Sequence, residues 1–355
     1  MTRHGDQRMF VRSRRAQLIV VGALAVTAAI AVVAAEVSGG WGLARGSVAN
    51  GHVRDTSTRT AHNGTSTRPL LVSKRQLLPK PKVVRPKPRR IKRLLVGFTD
   101  PSRTMLVDGR TTRRRFAAEI RYPLWSHGPF PVIIFGHGYN ATPNYYARLL
   151  DGWAKAGYVV VAPIFPVENA HAPGGPTRED LPNEPRDMTL VINELERPLT
   201  QAQREVSRLS NMHRIAVSGH SDGGDTALAA AYGPRRDRRI TAAAILSGQE
   251  DPLIGFFRMP STGPPLLAVQ GTADTINLPS TTYEYYGEAA PPKYLLKIIG
   301  ANHQDPYEQP SRVLAMVEKV TTAFFDRYLK GDPRMLVRLV KEGSAGSGSV
   351  LSSQQ

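Results

Sequence analysis

The stretch RIAVSGHSDGGDTALAAAY, residues 214–232, decides the fold of this chain. Its first five residues have the short apolar pattern of a buried strand, and residues 222–232 favour a helix. The pentapeptide GHSDG between them predicts a sharp strand-to-helix turn, on which Ser221 is held in a strained conformation with its hydroxyl exposed. Glycines two residues before and after Ser221 fit this turn, because a Cβ at either place would collide with it. We therefore predict that Ser221 is a nucleophile, the alternative being an ordinary glycine-rich loop.

Strands and helices alternate on both sides of this turn. The apolar runs predict strands at residues 116–122, 131–135, 158–164, 214–218, 241–246, 265–270 and 294–299. Helical spacing predicts helices at residues 143–156, 187–195, 222–232 and 311–329. This alternation indicates an α/β fold with a mostly parallel central sheet flanked by helices. Residues 248–264, between two successive strands, are too few for a large cap domain.

Three further motifs follow predicted strands. Residues 136–139, GHGY, let the chain bend so that the backbone N–H groups of Tyr139 and Asp222 form an oxyanion hole. Asp274 ends the motif GTAD, and its carboxylate can hold an imidazole, with Asp251 as the rival acid. His303 ends GANH and is the predicted general base, because it follows Ser221 and Asp274 in the order that this type of site uses. His137 is expected to brace its loop.

The substrate side is predicted only coarsely. We expect an open cleft walled by residues 167–186 and by Tyr139, Phe256 and Phe257, which would suit small or surface-bound acyl esters. The alternative for the two phenylalanines is core packing. No group of His, Asp and Glu has ligand spacing, so no metal is expected.

Residues 113–329 resemble a serine α/β-hydrolase. The match rests on FGHGYNATPNYY, GHSDGG, GTADTI, ANHQD and TTAFFDRYLKGD. It is nearest to the dienelactone hydrolase-like group, with platelet-activating-factor acetylhydrolases and cutinase-like esterases. The resemblance implies ester hydrolysis through an acyl-enzyme, without a cofactor. Dienelactone hydrolases use a cysteine nucleophile, and this chain has no cysteine; polyester hydrolases commonly have Met where Asp222 stands.

The composition excludes several classes of protein. The absence of cysteine rules out a disulfide scaffold and a thiolate metal site. The net charge of +18 comes almost entirely from residues 1–93, which carry 19 Lys and Arg against 3 acids. The rest of the chain is near neutral, so a nucleic-acid-binding face on the folded domain is not expected.

The N-terminal quarter predicts a membrane attachment. Residues 18–35 are an uncharged run of 18 residues, and five arginines precede it. We predict a cytoplasmic basic segment at 1–17, a signal-anchor at 18–35 that puts the rest of the chain outside, and a disordered Pro-rich linker at 36–93. A signal peptide cleaved after Ala35 is the alternative. The basic linker would be a spacer or would attract anionic lipid or wall polymer. The catalytic domain is expected at 94–341 and a flexible tail at 342–355.

Two other classes of function remain open. The same triad could transfer the acyl group to a sugar or lipid hydroxyl at the cell envelope. A non-catalytic envelope protein that keeps the fold is the third alternative. A complete set of Ser221, Asp274 and His303 argues against the last, because a binding protein does not need all three.

Overall fold

The computed structural model describes residues 89–355, apart from 345 and 347. The segments predicted at 1–17 and 18–35, and all but the last five residues of the predicted linker at 36–93, lie outside the described residues. Of the helices that the structure describes, none combines the length and the apolar character that crossing a membrane requires.

A single mixed sheet of nine strands runs through the described residues. The strands are β1 (Ile91–Val107), β2 (Arg110–Pro123), β3 (Phe130–Gly136), β4 (Val159–Pro163), β5 (Ser210–His220), β6 (Ile240–Leu246), β7 (Leu266–Gly271), β8 (Lys293–Ile298) and β9 (Ser349–Gln354). Their order is β1-β2-β4-β3-β5-β6-β7-β8-β9. Pairing is parallel from β4 to β8 and antiparallel at both sides of it. The predicted α/β-hydrolase architecture is confirmed.

Helices cover both faces of this sheet. They are α1 (Ala147–Ala156), α2 (Glu184–Glu196), α3 (Gln201–Leu209), α4 (Asp222–Tyr232), α5 (Pro279–Glu288), α6 (Arg312–Tyr328) and α7 (Met335–Gly343). Successive residues of a strand point to opposite faces, and β3 shows the consequence. Ile133 and Phe135 pack in the cluster that includes α1 and α6, whereas Val132 and Ile134 pack in the cluster with α2 and α4. Burial on both faces explains why the inner strands are apolar throughout.

The folded unit is larger than the predicted 94–341 at both ends. Strand β1 begins at Ile91, and the Arg93 guanidinium binds the Asp151 carboxylate at 3.1 Å, so the last residues of the predicted linker belong to the sheet. The predicted flexible tail is corrected in the same way, because Ser349–Gln354 pair with β8 as an antiparallel edge strand. Both segments are polar in composition. Backbone hydrogen bonds to an otherwise open sheet edge hold them, and composition does not reveal such bonds.

Candidate active site

Ser221 stands at the turn between β5 and α4, as predicted. Its backbone has φ 57° and ψ −128°, a conformation that costs free energy for a residue other than glycine. The flanking glycines make this turn possible. A Cβ on Gly219 would lie 1.9 Å from the Gly223 carbonyl oxygen, and a Cβ on Gly223 would lie 2.2 Å from the Gly136 carbonyl oxygen. The strand and helix therefore approach each other so closely that no side chain fits between them.

Asp274 and His303 lie side by side after β7 and β8. The Nδ1 atom of His303 is 2.8 Å from Oδ2 of Asp274. Oδ1 of Asp274 accepts hydrogen bonds from the backbone N–H groups of Ile276 and Asn277. Burial by itself would raise the pKa of Asp274, but the hydrogen bond and charge of His303 and the backbone donors lower it below its usual value. The carboxylate is thus held ionised and aimed at the imidazole.

Asp251, the rival acid, is placed elsewhere. Its Oδ2 accepts a hydrogen bond from Nη2 of Arg178 at 2.6 Å, and its Oδ1 accepts one from the Leu253 N–H. The structure therefore brings Asp274, and not Asp251, to His303.

His220 connects the two loops of the site. Its Nε2 lies 2.8 Å from the His303 carbonyl oxygen, and its Nδ1 lies 2.9 Å from the Tyr146 hydroxyl. The same hydroxyl accepts a hydrogen bond from the Gly138 N–H at 3.3 Å. Burial and the nearby His303 lower the pKa of His220 to about 3, so this imidazole is neutral. His220 was not predicted to be a site residue, although its position directly before Ser221 could have indicated such a role.

The loop that begins with Gly136 comes close to the nucleophile. A Cβ on Gly138 would lie 3.1 Å from Cβ of Ser221. Within the described part of the chain, neither the Tyr139 N–H nor the Asp222 N–H donates to a protein acceptor, which leaves both available to an oxyanion. His137 is fully buried; its Nε2 accepts from the Phe165 N–H, and its Nδ1 lies 2.9 Å from the Gly138 carbonyl oxygen. Burial lowers the pKa of His137 to about 4, so a neutral ring braces the loop.

Arg178 holds the side chain next to the nucleophile. Its guanidinium binds both oxygens of Asp222, at 2.6 and 2.8 Å, and its Nη2 also binds Asp251. Arg178 lies in the loop after β4, so this one side chain ties that loop to the start of α4 and to the segment after β6. Sequence reasoning did not single out Arg178, because nothing in its neighbourhood in the chain marks it.

Several buried carboxyl groups lie close to Asp222. One oxygen each of Asp222, Asp225 and Asp251 lies within 4.8 Å of the others. Two more acids, Glu168 and Glu184, are fully buried nearby. Burial and neighbouring carboxylates raise the pKa of Glu168 above its usual value, and burial raises that of Glu184. Arg178 supplies positive charge to Asp222 and Asp251, and the raised pKa values favour the protonated forms of Glu168 and Glu184.

The predicted substrate-contacting aromatic residues are not all brought together. Tyr139 is 45% exposed, and its hydroxyl donates to the Pro176 carbonyl oxygen at 3.0 Å. Phe256, 73% exposed, and Phe257 line a separate cavity of about 340 Å³ with Ala229 and Gly233. Those two residues lie near the end of α4, roughly 10–16 Å along the helix axis from its start beside Ser221. The phenylalanines therefore do not wall the nucleophile as expected.

Comparisons with known proteins point to one group of esterases. The sequence model of the Chlorophyllase family matches residues 119–282, a region that contains Ser221 and Asp274 and ends before His303. Chlorophyllase-1 of Arabidopsis thaliana is 30% identical over 158 residues, 43% of this chain and 44% of the relative. Chlorophyllase-2 of the same plant is 28% identical over 145 residues, 40% of this chain and 41% of the relative.

The chain spans less than half the length of these curated relatives. The similarity nevertheless covers the turn at Ser221 and the acid that follows β7. It agrees with the sheet order and with the serine turn described above. The fold, the site and the family match together show that this chain belongs to the serine α/β-hydrolase superfamily.

Proposed function

We propose that this protein is a serine esterase that hydrolyses carboxylic esters through Ser221, His303 and Asp274. The observation that carries the proposal is the 2.8 Å contact between His303 Nδ1 and Asp274 Oδ2. The loop of His303 is bound by His220, the residue before Ser221, and the backbone holds Ser221 at positive φ. The similarity to chlorophyllases supports an ester as the substrate class.

In the first half of this reaction, the imidazole of His303 takes the proton of the Ser221 hydroxyl while Oγ attacks the ester carbonyl. Asp274 keeps the proton on Nδ1 of His303, so that Nε2 is the basic atom, and stabilises the imidazolium that forms. The N–H groups of Tyr139 and Asp222 donate to the oxygen that becomes negative. The imidazolium then protonates the leaving alcohol, and the acyl group stays on Ser221.

In the second half, His303 removes a proton from water, and the hydroxide attacks the acyl-enzyme. The tetrahedral intermediate collapses, Ser221 regains its proton from His303, and the acid leaves. His220 is a poor base, because its pKa is lowered to about 3 and both of its ring nitrogens are engaged, by the His303 carbonyl oxygen and the Tyr146 hydroxyl. We therefore assign the role of base to His303.

Labelling with a fluorophosphonate tests the proposal directly. The wild-type protein should be labelled once, on Ser221, and Ser221→Ala should abolish both labelling and ester turnover. The exposed Ser261, changed to Ala, is the control. A panel of butyrate esters, with chlorophyll added because the relatives are chlorophyllases, then reports substrate preference. A polyol added to the assay reveals any acyl transfer as a new ester. Unchanged labelling of Ser221→Ala would refute the assignment.

We also propose that residues 18–35 attach the enzyme to a membrane with the catalytic domain outside. The 18 uncharged residues and the five arginines before them support this orientation. The basic residues of 36–93 would then lie where anionic lipid or wall polymer could attract them. The alternative is cleavage after Ala35, which would give a secreted enzyme. Cell fractionation distinguishes the two outcomes.

A further inference from the structure

A cavity of about 550 Å³ lies between the β1–β2 hairpin and the loop that follows β4. This volume falls in the range of roughly 300–1,000 Å³ that small-molecule sites occupy. The hairpin contributes residues near its tip, including Thr104 and Asp108, and the loop contributes residues 173–177 with Glu179. We call it the hairpin cavity. None of the three predicted triad residues lines it.

Buried ion pairs hold the walls of the hairpin cavity in place. Arg103 on β1 binds Asp187 of α2 at 2.7 Å, and Arg114 on β2 binds the same carboxylate at 2.7 Å. Arg114 also binds Asp180, which lines the cavity, at 2.9 Å. All four side chains are at least nine-tenths buried. The hairpin and the loop are therefore fixed to one another through α2, and the cavity is formed before a ligand enters.

The loop wall has its own internal support. The Thr177 N–H donates to the Val167 carbonyl oxygen at 3.0 Å, and the Gly175 N–H donates to that of Ala172. Thr177 Oγ1 accepts from the Glu179 N–H and so caps the short helical turn that follows. Asp108, at the hairpin tip, lies 3.6 Å from where a Cβ on Gly174 would stand. The tip and the loop thus meet at one side of the cavity.

The lining chemistry selects against an anion. The polar side chains are three threonines, one amide and three carboxyls, and the described lining includes no lysine or arginine. Asp108 and Glu179 would repel a phosphate or a carboxylate, whereas Arg114 balances the charge of Asp180. Threonine hydroxyls and the Asn183 amide both donate and accept, as neutral hydroxyl groups require. Apolar parts of Met105, Leu106 and Val167 can pack against carbon-bound faces of the same ligand.

Two contacts join the hairpin cavity to the proposed active site. Thr177 and Glu179, which line the cavity, flank Arg178, whose guanidinium binds the carboxylate of Asp222, the residue after Ser221. The Tyr139 hydroxyl donates to the carbonyl oxygen of Pro176, another lining residue. The cavity wall is therefore attached to the two residues, Tyr139 and Asp222, whose N–H groups form the proposed oxyanion hole.

We propose that the hairpin cavity binds the alcohol part of the ester, and that this alcohol is a neutral, hydroxyl-rich group of sugar size. The proposal rests on the esterase function proposed above. Three observations support the proposal: the charge of the cavity lining, its hydroxyl side chains and the two contacts with the proposed active site.

The test compares three esters with the same butyryl group on the full-length protein: 6-O-butyrylglucose, methyl butyrate and butyrylcholine. We expect a kcat/KM at least tenfold higher for the glucose ester than for methyl butyrate, mostly through KM. In Thr104→Val/Glu179→Gln, the ratio of the two KM values should shift about tenfold toward equality. The matched control, Thr262→Val/Glu284→Gln, changes residues that line other cavities and should keep the wild-type ratio.

Binding is also measured without catalysis. Calorimetry with methyl α-glucoside should give binding to the wild type and to Ser221→Ala, and about tenfold weaker binding to Thr104→Val/Glu179→Gln. Equal kcat/KM for the glucose and methyl esters, or a preference for the cationic choline ester, would overturn the proposal. Absence of methyl glucoside binding would overturn it too. If the wild-type protein bound methyl α-glucoside but hydrolysed none of the three esters, the esterase function would be refuted, and the cavity would still be a binding site.

Discussion

The imidazole of His220 donates a hydrogen bond from Nε2 to the backbone carbonyl oxygen of His303, over 2.8 Å. A carbonyl oxygen can only accept, so Nε2 carries the proton, and Nδ1 of the neutral ring accepts from the Tyr146 hydroxyl at 2.9 Å. The residue before the nucleophile thus fixes the loop of the proposed base and, through Tyr146, the loop of the oxyanion hole. Two loops that are distant in sequence are thus tied to one buried ring, which directly precedes the nucleophile.

We predict that His220→Phe lowers kcat by about 10- to 100-fold with little change in KM. The substitution keeps an aromatic ring but leaves the His303 carbonyl oxygen and the Tyr146 hydroxyl without their partner, so His303 loses its position. Steady-state kinetics on a small ester measure the effect. His213→Phe, which changes an exposed histidine, is the control. An unchanged kcat in a folded His220→Phe protein would show that the bond to His303 has no part in positioning.

Arg178→Met should lower kcat by about tenfold. The variant removes the guanidinium that holds Asp222 and Asp251, so two buried carboxylates lose their counter-charge beside the proposed oxyanion N–H. The side chain is 39% exposed, which limits the loss. Arg239→Met is matched to it, because Arg239 also bridges two acids at the surface. If the two variants have the same kcat, Arg178 is not a positioning residue.

The triad acid is tested by a pair of substitutions. Asp274→Asn should reduce kcat by about 10⁴-fold, because the amide would favour the wrong tautomer of His303. Asp251→Asn leaves the contact between Asp274 and His303 intact and should cost tenfold or less. Pre-steady-state measurement of acylation separates the two. The opposite ranking would assign the role to Asp251.

The buried acids are expected to lower the stability of the fold as pH rises above the ordinary pKa of a carboxyl group. Burial and neighbouring carboxylates raise the pKa of Glu168, so the folded state keeps a proton that the unfolded state has lost. The protonated Glu168 contributes fully to the free energy of unfolding at pH values below the pKa that this residue has in the unfolded state. As pH rises above that pKa, the free energy of unfolding falls by about 1.4 kcal/mol per pH unit for each proton. In Glu168→Gln the amide hydrogens replace that proton.

Urea unfolding between pH 5 and pH 9 checks this expectation. The free energy of unfolding of Glu168→Gln should fall less steeply with pH than that of the wild type. Glu179→Gln, an exposed acid of the same loop, should follow the wild-type slope. Parallel curves for Glu168→Gln and the wild type would mean that Glu168 is ionised in the folded protein.

Removal of residues 1–80 should release the enzyme from membranes without changing its rate on a small water-soluble ester. The truncation keeps β1 and everything after it. Cell fractionation of both forms, with assay of each fraction, measures the effect. If the protein is expressed from the full-length sequence and appears in the medium with Glu36 as its first residue, the signal peptide is cleaved. Loss of small-ester turnover would show that residues 1–80 contribute to the catalytic domain.

Local patterns were enough to predict the inner sheet and the motifs. Strands buried on both faces need continuous apolar runs, so β3 to β8 could be recognised, and helix α4 was predicted at its observed bounds. The edge elements were not predicted well. β9 and the start of β1 are polar, and the pairing that forms them depends on which sheet edge is free, which is a property of the whole fold.

The sequence by itself determined the turn at Ser221, because glycines at 219 and 223 are the only residues that the packing of strand on helix admits. It also determined the order of Ser221, Asp274 and His303 along the chain. Only the tertiary structure decided between Asp274 and Asp251, since both acids follow strands and only their distance to His303 separates them. The same holds for His220 and Arg178, whose partners lie 44 to 83 residues away. Hydrogen bonds and ion pairs act over a few ångströms, so such partners become neighbours only when the sheet brings their loops together.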